Sequence, residues 1–177
     1  MKKLVIIIFT IGFCAFTNAQ TIQGTLTLNG KSKTELNLKT NSAVQLFKDF
    51  KTEKYKLKFN FKSKEISKNI YGETVIFFDF ITVVKKDGII VKNLQRKQPI
   101  PYFPGEMFLP AEAFDFISVL ASLDKERHAT TIEKGYQGTM PEGKYIMQLF
   151  AKPVGFKGEI KPLEFSFMLR KRPGRLK

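Results

Sequence analysis

Two runs of alternating apolar and polar positions stand out in the first half of the chain. Ile22, Gly24, Leu26 and Leu28 alternate with Thr21, Gln23, Thr25 and Thr27, the period of a half-buried β-strand. Asn29-Gly30 follows, a pair that tolerates the positive φ of a tight turn, and Glu35-Leu36-Asn37-Leu38 resumes the alternation, so a β-hairpin is predicted. In residues 54–62, Tyr55, Leu57, Phe59 and Phe61 face one way, and Lys54, Lys56, Lys58, Asn60 and Lys62 face the other. That pattern predicts a strand with one face in a core and a ladder of lysines on the opposite face.

Residues 73–84 read differently. Val75-Ile76-Phe77-Phe78 and Phe80-Ile81 are apolar on both faces, as in a central strand covered on each side, and Asp87-Gly88 then turns into Ile89-Ile90-Val91 as a second hairpin. Residues 144–152 and 163–169 add two more strands. Residues 99–110, PIPYFPGEMFLP, hold four of the chain's eight prolines, which excludes a regular central strand and predicts a looped crossover. Two short helices are expected. One starts at Ser42, with Ala43, Leu46, Phe47 and Phe50 at helical spacing; the other starts at Pro110 and carries Phe114, Ile117 and Ala121 on one stripe.

These elements predict a mainly β fold: an antiparallel β-sandwich, immunoglobulin-like or related, with one or two short covering helices. The step Pro141-Glu142-Gly143-Lys144-Tyr145 resembles the loop-to-strand passage near the end of immunoglobulin-like exported domains. No internal repeat or linker divides the chain, so residues 20–169 are expected to form one domain followed by a basic tail, 170–177.

The N-terminal segment changes the setting. Lys2-Lys3, the apolar run of residues 4–16, and small residues at Thr17 and Ala19 have the order of a secretory signal peptide, residues 1–19. The run is shorter than the about 20 apolar residues a spanning helix needs, which argues against a retained anchor. Phe13 precedes Cys14 where a lipoprotein signal requires a small residue. Cleavage after Ala19 leaves a chain that starts at Gln20 and has no cysteine, so stability rests on the core, in which phenylalanine dominates. The expected location is the periplasm or the cell surface.

Charge narrows the partners. The chain carries +14, and residues 20–98 together with the tail hold nearly all of it. Such a field favours anionic partners, yet only five of the 30 basic residues are arginine, the side chain suited to bidentate phosphate recognition. Export and the arginine shortage together disfavour nucleic acid. Lys54, Lys56, Lys58 and Lys62, with Arg170 and Arg172 of the tail, are the candidate polyanion-binding residues; the competing reading of the ladder is protection of a sheet edge. Tyr102, Phe103, Met107 and Phe108 make the crossover loop apolar and are the candidate partner-binding residues.

Catalytic signals are sparse. His128 is the sole histidine and stands without a nucleophile motif, which also leaves no ligand set for zinc, and no clustered Asp-x-Asp spacing suggests calcium. Asp79 interrupts an apolar run and would need a second carboxylate, such as Glu73 or Asp115, to support hydrolysis; its structural reading is a residue on a wet sheet face beside a lysine. The sequence therefore points to a non-enzymatic, cofactor-free, exported cell-envelope protein that contacts another envelope or surface component. Binding of anionic glycan or lipid is the alternative, and a carboxylate-based hydrolase comes third.

Overall fold

The computed structural model describes residues 21–38, 49, 54–64, 66–114 and 142–169. Among the described residues ten strands follow one another: β1 (Thr21–Leu28), β2 (Lys33–Leu36), β3 (Leu57–Lys64), β4 (Ile76–Lys86), β5 (Ile89–Gln95), β6 (Ile100–Tyr102), β7 (Gly105–Phe108), β8 (Gly143–Pro153), β9 (Lys157–Lys161) and β10 (Leu163–Leu169). They build two sheets, one of four strands in the order β7-β3-β1-β9 and one of six, in which β2-β10-β8-β4-β5 form the path and β6 also pairs with β4.

The predicted alternation is present in both runs. Ile22, Leu26 and Leu28 of β1 and Leu57, Phe59 and Phe61 of β3 are buried, and the polar positions between them face outward. In β4 the buried set is Ile76, Phe78, Phe80, Thr82 and Val84. Its other face carries Phe77, Asp79, Ile81 and Val83, of which Phe77 is exposed and the others half-buried, so this face is less covered than the sequence predicts.

The core lies between the inward faces of the two sheets. Phe59 of β3 meets Phe78 of β4 edge to face, with ring centroids 5.0 Å apart, and Phe61 meets the same ring at 4.8 Å. Tyr145 of β8 stacks on Phe167 of β10 at 5.3 Å. Burial pushes the Tyr145 hydroxyl up to about 12, with the carboxylate of Asp87 adding to the effect. Such aromatic pairs add about 0.5–1.5 kcal/mol each beyond the area they bury.

Two expectations are corrected. First, the sheets are mixed rather than antiparallel: β9 runs parallel to β1, and β2 parallel to β10. Second, β1 and β2 do not form a hairpin. The turn itself forms, with Asn29 at φ 49 and Gly30 at φ 80 and one bridge between Leu28 and Lys31. However, the pairing stops at that bridge: β3 flanks β1 along its length, β9 takes Thr21 to Thr25 on its other edge, and β2 pairs with β10 in the other sheet. The two expected covering helices fall largely outside the described residues. Ala111–Phe114 is a 3-10 turn, and Asp49 is the one described position of the first predicted helix; the rest of both predicted helices lies outside the described residues.

The second hairpin forms as predicted, with Asp87 at φ 50 and Gly88 at φ 85 joining β4 to β5 and a bulge at Val84 and Lys85. The proline-rich segment is a crossover: β6 pairs with β4 in one sheet and β7 with β3 in the other. Phe114 closes the core beyond it, edge to face with Phe80 at 5.0 Å, and its carbonyl accepts a hydrogen bond from the buried Thr82 hydroxyl at 3.0 Å. Among the described residues no helix is long and apolar enough to cross a membrane. Residues 1–20, where the export signal falls, lie outside the described residues.

Candidate functional site

Two candidate groups that the sequence kept apart meet on one sheet face. β7 pairs with β3 so that Phe108 lies directly opposite Lys58, Met107 opposite Phe59 and Glu106 opposite Asn60. Residues that face each other across a pair share a face, so Met107 joins the core while Phe108 joins the lysines. The Phe108 ring, 63% exposed, lies 5.9 Å from the Lys56 ammonium and 5.6 Å from that of Lys58. Both distances are within the range at which a cation is attracted to an aromatic face.

The lysines of the ladder are not equivalent. Lys54 Nζ donates to Asp49 Oδ2 at 2.7 Å, and this contact holds the Lys54 ammonium above its ordinary pKa. Lys58 pairs with Glu106 Oε1 at 2.8 Å. Lys56 takes its position from the turn after β1: its backbone N–H donates to Asn29 Oδ1 at 2.7 Å. Lys62 is exposed and lies across from Gln23 of β1.

β3 is not a sheet edge, because β1 flanks it along its length and β7 covers Lys58 to Phe61 on the other side. Edge protection therefore does not account for Lys58. The outer face of this sheet instead presents a row of Thr21, Gln23, Thr25 and Thr27, bordered by lysines of β3 on one side and by Lys157, Glu159 and Lys161 of β9 on the other. Over the β1 and β9 pair lies an open depression of about 450 Å³ lined by Gln23, Glu159 and Lys161 among others. Gly24 and Gly158 allow the close approach there: a side chain at Gly158 would collide with the Ile22 backbone.

The crossover residues divide by burial. Tyr102 packs its ring edge to face on Phe59 at 6.0 Å and Phe80 at 5.9 Å, and burial raises its hydroxyl pKa. Met107 is half-buried against the core, whereas Phe103 and Phe108 are exposed. Arg170, Arg172, His128 and Asp115 lie outside the described residues.

No protein-family model matches this chain, and no curated protein matches it. The chemistry is therefore read from the surface alone. Asp79 is half-buried on the outer face of β4 directly across from Lys152 of β8, while Glu73 is exposed in the turn before β4 and bonds through its backbone to Asn69. That setting favours the structural reading of Asp79. Among the described residues no group of three or more His, Cys, Asp and Glu side chains could hold a metal ion.

The sequence missed the exposed turn at Ile70 and Tyr71 and the strand β9. Asn69 Oδ1 accepts from the N–H groups of Tyr71 and Glu73, both at 2.9 Å, so two large apolar side chains are displayed on a closed turn. Asn69 and Gly72 are turn formers, a signal that could have marked it. β9 offers one buried apolar residue, Ile160, too little for a periodic signal.

Proposed function

We propose that this protein is an exported component of the bacterial cell envelope that acts by binding rather than catalysis. Its two sheets make a β-sandwich, immunoglobulin-like or related, and the outer face of the four-stranded sheet contacts another envelope or surface protein. One observation carries this reading: Phe108 is held largely in solvent with the ammonium groups of Lys56 and Lys58 5.9 and 5.6 Å from its ring. An aromatic ring outside the core, beside two ammonium groups, suits a partner with an apolar socket and an acidic rim.

The test is a photo-crosslinking side chain at position 108 of the exported protein in intact cells. Capture of one defined envelope protein, lost when Lys56 and Lys58 are reversed in charge, supports the reading. Recovery of uncrosslinked monomer alone overturns it.

A second reading is supported by the polar row of β1 between the lysines of β3 and β9, which suits an anionic glycan. Lys54 and Lys58 already have carboxylate partners, and Lys62 is exposed beside Gln23 of the polar row, so Lys62→Glu is the sharper test. Unchanged retention on a sulfated polysaccharide at low salt excludes it.

A further inference from the structure

The tip of the β4–β5 hairpin carries a surface that neither reading uses. Ile89 is 71% exposed and Ile90 59% exposed, directly after the Asp87-Gly88 turn, and Val91 continues the apolar run in solvent. Side chains this exposed contribute little to folding, and contiguous exposed apolar groups mark a contact site.

The register shows what surrounds them. Ile89 lies across from Lys86 and Ile90 from Lys85, and Lys92 follows on the same hairpin. On the next strand Tyr145 lies across from Lys86, which brings Lys144 to the turn, and beyond it Met168, exposed, lies across from Lys144. The acid at the tip is already engaged: Asp87 Oδ2 pairs with Lys86 Nζ and Oδ1 accepts from the Lys144 N–H, both at 2.8 Å. These partners hold the Asp87 carboxyl below its ordinary pKa. In sequence, Arg170, Lys171 and Arg172 follow Leu169, which lies across from Gly143 at this same end.

We infer that the β4–β5 hairpin tip docks on an anionic lipid bilayer, with Ile89 and Ile90 entering the headgroup boundary and Lys85, Lys92 and Lys144 facing the lipid phosphates. Aliphatic side chains at a tip surrounded by lysine have the chemistry of an interfacial contact, in which apolar burial and attraction to anionic lipid act together. A hairpin whose turn is already hydrogen-bonded to β8 through Asp87 and Lys144 lowers the ordering cost of such docking. The Phe108 surface lies on the other sheet, so this inference holds whatever that surface binds.

Ile70 supplies an internal comparator. It is 91% exposed, but its turn precedes Ile76 at the other end of β4, where Glu65 and Glu73 offset the lysines in sequence. The chain contains no tryptophan, so Ile90→Trp and Ile70→Trp each introduce a single emission reporter into the exported full-length protein. With vesicles of equal parts phosphatidylglycerol and phosphatidylcholine, the reporter at position 90 shifts to the blue and the one at position 70 does not. Pure phosphatidylcholine or high salt removes the shift. Ile89→Ser with Ile90→Ser lowers vesicle sedimentation about tenfold, because two exposed apolar side chains no longer leave water. No shift at position 90, equal shifts at both positions, a shift undiminished on neutral vesicles, or sedimentation unchanged in the double variant would each overturn the inference.

Discussion

Asn29 and Lys56 are joined twice: the Lys56 N–H donates to the side-chain oxygen of Asn29 at 2.7 Å, and the Asn29 N–H donates to the Lys56 carbonyl at 2.9 Å. The turn that ends β1 thereby holds the start of β3 and places the first lysines of the ladder. Asn29→Ala removes the side-chain acceptor and puts alanine at φ 49, and it should cost about 1–3 kcal/mol in urea unfolding. Asn29→Asp keeps the acceptor and should cost less; equal losses would show that the acceptor is unimportant.

Phe59 and Phe108 separate packing from contact. Phe59 is fully buried among Phe61, Phe78, Phe80 and Tyr102, so Phe59→Ala should cost about 3–5 kcal/mol. Phe108→Ala should change stability by no more than about 0.5 kcal/mol while abolishing capture of the envelope partner. A large stability loss at position 108 would return this ring to a structural role.

The Glu164 carboxylate ties three strands. It pairs with Lys33 of β2 at 2.8 Å and accepts from Gln148 of β8 at 2.9 Å, and these contacts, Lys33 first, hold it below the usual carboxylate range. A group depressed in the folded state stabilises above its unfolded pKa, near 4.5, and loses that contribution as pH falls through the lower folded value. Urea midpoints for Glu164→Gln should lie below wild type at pH 7 and converge with it under acid conditions. A constant gap across that window would refute the linkage.

Gly158 brings β9 against β1. Gly158→Ala should cost about 1–3 kcal/mol, and hydrogen exchange in β9 should quicken before exchange in β4. Unchanged exchange along β9 would mean that the parallel pair tolerates a side chain there.

Much of the strand content was legible because burial of one face imposes a period of two on β1, β3, β8 and β10. Both turn dipeptides, Asn29-Gly30 and Asp87-Gly88, adopt the positive φ their residue types allow. The candidate surface was legible only in fragments, as a lysine ladder and an apolar loop. Their meeting at Lys58 and Phe108 depends on a register set by residues about 50 positions apart in the chain.

Local chemistry in the sequence determined where strands and turns lie and which faces they bury, since side-chain alternation and backbone φ preferences act over a few neighbours. Only the tertiary structure decided the partner of each strand. A turn can reverse the chain, but it does not fix the partner of the strand that follows: after Asn29-Gly30 the pairing with β1 stops at one bridge, and β2 runs parallel to β10. The pairing of β7 with β3, distant in the chain, likewise brought Phe108 beside two lysines.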